Sequence, residues 1–520
     1  MDILLFWAHK IFRMLVKKRP ISVATRRLGE CKSYSEWSQV AAHIDSLDGG
    51  NLWRRNFISR LYDYELINDR LLTLQDARLR GDYLKIISVF RAGLLRNFGG
   101  IAAKELYTRA YSGTKTLIEE YIDEVLECLN FIHEFESDED YSTISNFNQI
   151  KLDFFHDARQ TFGSTALILQ GGSLFGLCHL GVVKALNAKG LLPRIISGSA
   201  VGAIVAAFVC VLADSELSDI SSITETLIAS ESKDFSESTT GDIIEYVTRN
   251  GYSHDILTFA KYVRQRLGDL TFEETYLKTE RILNVLVHPT DASIPPLLNY
   301  VTTPNIVVWS ALTCSVGDGV FMDSPCLYIK NQDGEIRQME TYRECHFLTP
   351  HQASDGMSMH EPHSELATLT SPYTRLTELF NVNHFVVSLA RPYLSPLIGN
   401  DLKHGSNWYP ERLLKTVLGL EFQHRVNMLD RMGILFSWIK RLAIDEKTPR
   451  RNASGITIVP GIKTLVRDFG RVFDVNKSNV NIPYWILVGD RSVWPLYPIL
   501  WTRIAIEFAL DDYYSLHRKM

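Results

Sequence analysis

Cysteine is sparse and unpatterned in this 520-residue chain: Cys31, Cys128, Cys178, Cys210, Cys314, Cys326 and Cys345 make seven, scattered, with no C-x-x-C spacing. That argues against a disulfide framework and a zinc site and fits a reducing, cytosol-facing environment. Charge of one sign is also lacking. A formal net charge of -5 gives no attraction to nucleic acid, which is held by clustered Lys and Arg that displace counterions. There is no internal repeat and no low-complexity tract. The N-x-S triplets at Asn452 and Asn476 would matter only in a secreted chain and are read as chance.

What is present is ordinary globular composition, 46% hydrophobic and 22% charged, over a length that exceeds one hydrophobic core and implies two or three domains. The opening apolar stretch, Ile3 to Val16, is too short to span a bilayer and is interrupted by His9, Lys10 and Arg13. As a helix it would set Leu4, Trp7, Ala8, Ile11, Met14 and Leu15 against Lys10, Arg13 and Lys17. With Lys18 and Arg19 following, that is the pattern of a helix lying in a membrane interface, with docking on the protein's own core as the alternative. A signal peptide would carry its charges before the apolar run.

Residues 33 to 136 read as helical, opened by the capping-box spacing Ser33-Tyr34-Ser35-Glu36. The acidic, Ser-rich stretch from Phe135 to Ser145 is a candidate linker. From Thr165 the pattern becomes strand, helix, strand, helix: Ala166 to Leu169, Gly176 to Lys189, Leu191 to Ser197, Ala203 to Leu212. That order implies an α/β domain with a parallel sheet. The apolar runs Asn305 to Leu312 and Asn383 to Leu389 are expected to complete the sheet, with a surface insertion at 330 to 370 between them. The aromatics Trp485, Trp494, Tyr497 and Trp501 suit either a lipid interface or docked C-terminal segments, and docking is expected.

Two turns carry the chemistry. Gly171-Gly172-Ser173-Leu174-Phe175-Gly176 follows the first strand and opens a helix, so its backbone N–H groups suit an oxyanion hole or a phosphate site; it lacks the G-x-G-x-x-G spacing of a dinucleotide fingerprint. Further on, Gly198-Ser199-Ala200-Val201-Gly202 joins a strand to a helix in the frame of a nucleophile elbow, G-x-S-x-G, in which the nucleophile position holds alanine.

The pair LILQGGSLFGLCHLGVVKAL and LLPRIISGSAVGAIVAA resembles the patatin-like domain of neutral-lipid lipases of lipid droplets, as do VVWSALTCS (307 to 315), YTRLTELFNVNHFVVSLARP (373 to 392) and ITIVPG (456 to 461). The N-terminal helical region is similar to the domain that precedes the lipase domain in triacylglycerol lipases of that group. The resemblance implies a three-layer α/β fold with a mostly parallel central sheet behind a helical N-terminal domain. The implied divisions are an interfacial helix at 1–20, a helical domain at 21–160, the lipase domain at 161–400 and a helical, aromatic-rich region at 401–520.

The resemblance further implies a Ser–Asp dyad and no cofactor or metal. Serine maps to Ala200, whose methyl can neither lose a proton nor form an acyl-enzyme. The aspartate maps to Ser364 without a gap, or to Asp355 if the intervening loop is longer; Asp318-Gly319 and Asp333-Gly334 match the context less well. Gly171, Gly172, Ser173 and Gly176 would form the oxyanion hole. An H-x-x-x-x-D acyltransferase signature occurs at His43…Asp48 and His133…Asp138, about as often as chance allows. His179 is expected to be a packed residue and His384 to sit on a buried strand; Arg54-Arg55 and Arg450-Arg451 are read as solvated surface, with membrane contact as the lesser alternative. The implied ligand is a neutral lipid or phospholipid met at a lipid droplet or cytosol-facing membrane, with catalysis impaired. Lipid binding, scaffolding, or pairing with an active relative would then remain. The alternative is an active triacylglycerol lipase or lysophospholipid acyltransferase in which Ala200 is engineered or bypassed.

Overall fold

The computed structural model describes residues 20–21, 23–135, 141–172, 174–220, 224–226, 252–290, 294–317, 325–339, 346–347, 372–390, 455–461, 471 and 478–519, with isolated positions between 417 and 432. Residues 1–19 of the expected interfacial helix, and Ser173, Asp318, Asp355 and Ser364, lie outside them. Two compact units emerge: one of residues 1–163, 401–407 and 494–520, the other of 164–400 and 408–493. The stretch expected as a single C-terminal region, 401–520, is thus shared between them.

The first unit is helical: α1 (Tyr34–Asp48), α2 (Gly50–Arg55), α3 (Tyr64–Leu79), α4 (Tyr83–Gly93), α5 (Thr116–Glu134) and α6 (Tyr141–Phe162). Short polar side chains start three of them. Ser33 Oγ accepts the N–H of Glu36, and Asp63 and Asp82 accept those of Leu66 and Lys85. At α1 the Glu36 carboxylate reaches back to the N–H of Lys32, one residue before the cap itself. The C-terminal helix Tyr497–Lys519 packs along α5 and α6. Trp494 is buried beside Trp37, their ring centroids 6.5 Å apart.

The second unit is built on a six-stranded sheet in the order β4-β3-β2-β1-β7-β8, from β1 (Ser164–Gln170), β2 (Ile195–Gly198), β3 (Ile282–Leu286), β4 (Leu297–Leu298), β7 (Val382–Leu389) and β8 (Ile456–Ile458). All pairings are parallel except β3 with β4. A short hairpin, β5 (Tyr328–Lys330) and β6 (Ile336–Gln338), stands apart. The apolar strands are sandwiched by helices, as a parallel sheet requires. The helices that matter here are α7 (Leu177–Asn187), α8 (Val201–Val211), α9 (Val308–Val316), α10 (Pro372–Phe380) and α11 (Ser478–Val493). Leu376 of α10 packs with Ile168, Phe385 and Val387 on one face; Gly202 of α8 lies against Leu169 on the other. Trp485 of α11 is buried edge-on against Phe175, 5.1 Å between centroids.

One expected strand is a helix. Asn305 to Leu312 does not enter the sheet; from Val308 it forms α9, which buries Val308, Ala311, Leu312 and Ser315 at helical spacing. Its place is taken by Ile282 to Leu286, a run carrying Asn284, which is fully buried and donates to the carbonyl of Ile196 on β2. A short apolar run fits either period, and the polar interruption hid the true strand.

Candidate active site

Register brings the two turns together. Leu169 pairs with Gly198 at the carboxyl ends of β1 and β2, the edge where open α/β sheets place their sites. The N–H of Ser199 donates to the carbonyl of Leu169, and that of Gly202 to the carbonyl of Gly171, at 3.1 Å each. Gly171 and Gly172 have φ of +67° and +97°, a turn that side chains disfavour. The contact leaves no room for a Cβ: one on Gly172 would stand 2.7 Å from Gly176 Cα, and one on Gly202 2.1 Å from the Leu169 carbonyl oxygen.

Ala200 sits at φ 49°, ψ -125°, between β2 and α8. A non-glycine residue held there costs about 1–3 kcal/mol, so the surrounding bonds must impose it. They are visible: Ser315 Oγ, on α9, accepts the Ala200 N–H at 3.1 Å and donates to the carbonyl of Leu286 at the end of β3 at 2.6 Å. The sharp turn that would lift a serine hydroxyl clear of the sheet is therefore present, on a residue without one.

The neighbouring hydroxyls do not stand in its place. Ser197 pairs with Ile168, and alternation puts Ser199 on the same face, so both line a small cleft with Ile168, Gln170, Leu286, Tyr373 and Leu376. Gln170 donates to the Tyr373 hydroxyl across it at 2.8 Å. Ser199 is 3% exposed, whereas Ala200 is half-buried at the turn. The thiols of α7 and α8 are poor substitutes: burial pushes Cys178 far up and Cys210 up to about 12, which leaves both protonated at neutral pH. His179 is fully buried, its Nδ1 2.9 Å from Ser388 Oγ, and His384 is fully buried on β7, its Nδ1 3.3 Å from Thr165 Oγ1.

Of the other candidates, Asp333-Gly334 turns the β5–β6 hairpin, with the Gly334 N–H donating to the carbonyl of Asn331. His43 and Asp48 share α1 five residues apart, about 140° around the helix axis, and do not face one another. The His133 ring is engaged by His517 at 3.1 Å, and its partner in the motif, Asp138, lies outside the described residues. Arg54 is not solvated surface: it donates to Glu119, the Ser112 hydroxyl and the Thr114 carbonyl. Among the described residues no cluster of His, Cys, Asp and Glu could hold a metal, and no helix is long and apolar enough to cross a membrane. Sequence reasoning missed Ser315 and Tyr373 as site residues. Both fall inside segments matched by resemblance, but no local spacing links Ser315 to a turn 115 residues earlier.

Comparison with known proteins agrees with this fold. The family model "Patatin-like phospholipase" matches residues 167–323, and "Domain of unknown function (DUF3336)" matches 14–160. Triacylglycerol lipase 3 of Saccharomyces cerevisiae is 35% identical, covering 98% of this chain and 92% of its own length. Triacylglycerol lipase ptl1 of Schizosaccharomyces pombe is 35% identical over 92% of this chain and 83% of its own. Triacylglycerol lipase SDP1L of Arabidopsis thaliana is 31% identical over 92% of this chain and 57% of its own.

Proposed function

The chain belongs to the triacylglycerol lipase family with a patatin-like domain, and from that premise we propose that it keeps the family's lipid site but has lost the covalent step of ester hydrolysis. The observation that carries this is Ala200 at φ 49° in a fully formed elbow. Gly171, Gly172 and Gly176 would present N–H groups to an ester carbonyl, and Ser173 and Asp355 would complete the oxyanion hole and dyad. With a methyl at position 200 no acyl-enzyme forms. Removing a serine nucleophile costs on the order of a million-fold in kcat. What remains is binding of neutral lipid or phospholipid at a lipid-droplet or cytosol-facing membrane surface, alone or paired with an active relative.

The test is the full chain and its Ala200→Ser variant assayed on triolein emulsion and a lysophospholipid, with a fluorophosphonate probe for an activated serine. The variant should gain labelling and hydrolysis while the parent shows neither. Turnover by the parent that Ser199→Ala abolishes would sink the reading. That rival, bypass through Ser199, has the cleft beside Tyr373 in its favour. Burial and its position on the sheet face, one residue before the strained apex of the elbow, count against it.

A further inference from the structure

In the helical unit, residues 51 to 62 read Asn-Leu-Trp-Arg-Arg-Asn-Phe-Ile-Ser-Arg-Leu-Tyr: four large aliphatic or phenyl side chains, three arginines and no acid. The structure leaves the apolar ones outside, with Leu52 74%, Phe57 48%, Ile58 62% and Leu61 45% exposed. Single exposed apolar side chains are unremarkable, but four within ten residues, two of them adjacent in sequence, concentrate apolar surface on one segment. Arg55 and Arg60 are exposed beside them, and neither is in an ion pair among the described residues. The local charge is thus positive in a chain whose net charge is -5. Leu277, by contrast, is exposed among Glu273, Glu274 and Glu280.

The segment is also rigid at its base. Lys115, buried beneath it, donates to the carbonyls of Trp53 and Asn56 at 2.7 and 2.6 Å and lies over the Trp53 ring. Arg54 is tied to Glu119, and the Tyr62 hydroxyl donates to the carbonyl of Phe57. The backbone between is held before anything binds, so apolar groups can enter a second phase without the cost of ordering a loop.

We propose that residues 52–61 form a wedge that enters an anionic phospholipid surface, Leu52, Phe57, Ile58 and Leu61 reaching the acyl boundary while Arg55 and Arg60 meet the headgroups. The pairing of an apolar tip with unneutralised arginines is the chemistry of an interfacial anchor, and it is independent of the N-terminal nineteen residues. This inference rests on the reading that the chain works at a lipid surface, and the experiment separates the two.

The experiment sediments the full chain with sucrose-loaded vesicles of phosphatidylcholine, with and without about a third phosphatidylserine. The parent should bind the anionic vesicles more tightly. Phe57→Glu with Ile58→Glu should weaken partitioning to both kinds by roughly 30-fold. Arg55→Gln with Arg60→Gln should weaken only anionic binding, by roughly tenfold, and remove most of its salt dependence. Leu52→Glu serves as a second apolar variant, with thermal melts to show that each is folded. Binding by the parent that these variants leave unchanged overturns the wedge and spares the surface reading. No binding by the parent overturns both. A dimer that dissociates on Phe57→Glu with vesicle binding intact also overturns the wedge, making the patch a contact between copies.

Discussion

The hydroxyl of Ser315 holds the backbone of Ala200, accepting its N–H at 3.1 Å while donating to the Leu286 carbonyl at 2.6 Å, and so ties α9, β3 and the elbow at one buried point. Ser315→Ala would leave a buried N–H and a carbonyl each short of that partner, costing about 1–3 kcal/mol. In a unit this large that lowers the melting temperature by roughly 1–2 °C per kcal/mol. In an Ala200→Ser background the same change should also depress any recovered hydrolysis through kcat more than KM, since it loosens the turn that aims the hydroxyl. An unchanged melt and an unchanged kcat would show that the elbow is held by its glycine contacts alone.

The strain at position 200 gives a prediction of unusual sign. Alanine to glycine inside a helix ordinarily destabilises, but Ala200 is the N-cap of α8, and φ 49°, ψ -125° is glycine territory. Ala200→Gly should therefore leave stability unchanged or raise it, by up to about 1 kcal/mol in thermal or denaturant melts. Gly202→Ala should do the opposite and cost about 3 kcal/mol or more, because its Cβ would meet the Leu169 carbonyl at 2.1 Å. A marked loss from Ala200→Gly would mean that the turn relaxes in solution.

These local features were legible in the sequence to different depths. The glycine turn and the elbow could be read because close backbone approach permits few residue types, and that constraint is written in adjacent letters. The apolar run of β7 and the Ser33 cap of α1 could also be read, since both signals are local in sequence. What stayed hidden depends on distance: the Ser315 relay, the Gln170–Tyr373 bond across the cleft, and the assignment of Trp494 and the C-terminal helix to the helical unit. The exchange of the 305–312 run for 282–286 as the third strand belongs here too. An apolar run of eight residues fits either period, and only the buried hydrogen bonds of Asn284, to Ile196 and to Asn299, explain a polar residue in a central strand.

The helical unit rests on a buried ion pair whose removal should be asymmetric. Arg96 donates to Glu507 at 3.0 Å and to the carbonyls of Arg503, Phe162 and Gly163, with both side chains nearly buried. Desolvation already lowers the Arg96 pKa, with Glu507 opposing it. Arg96→Met should cost about 3–5 kcal/mol by leaving Glu507 uncompensated. Adding Glu507→Leu should recover part of that loss and not all, because three carbonyls still lack their donor. A double variant no better than the single one in denaturant melts would assign the whole cost to those carbonyls.

Stability of the same unit should fall in mild acid through one histidine pair. His517 Nε2 lies 3.1 Å from His133 Nδ1, so one ring must accept, and the buried Lys151 donates to the carbonyls of His133 and Phe135 beside them. Desolvation, then His133, then Lys151 push His517 down to about 4; desolvation and Lys151 lower His133 against the pull of Glu134. A folded pKa below the unfolded value near 6.5 means that the unfolded chain takes the proton first. The contribution is therefore full above about pH 6.5, is lost as pH falls toward 4, and changes no further below that. Melting temperatures measured from neutral pH to mild acid should drop in this window, and His517→Gln should flatten the drop because a neutral amide keeps one hydrogen bond and takes no proton. Tyr513 stacks on His133 and Phe155 on His517, so the ring stack is the structure that protonation would open. An identical acid profile in His517→Gln would place the sensitivity in the carboxylates instead.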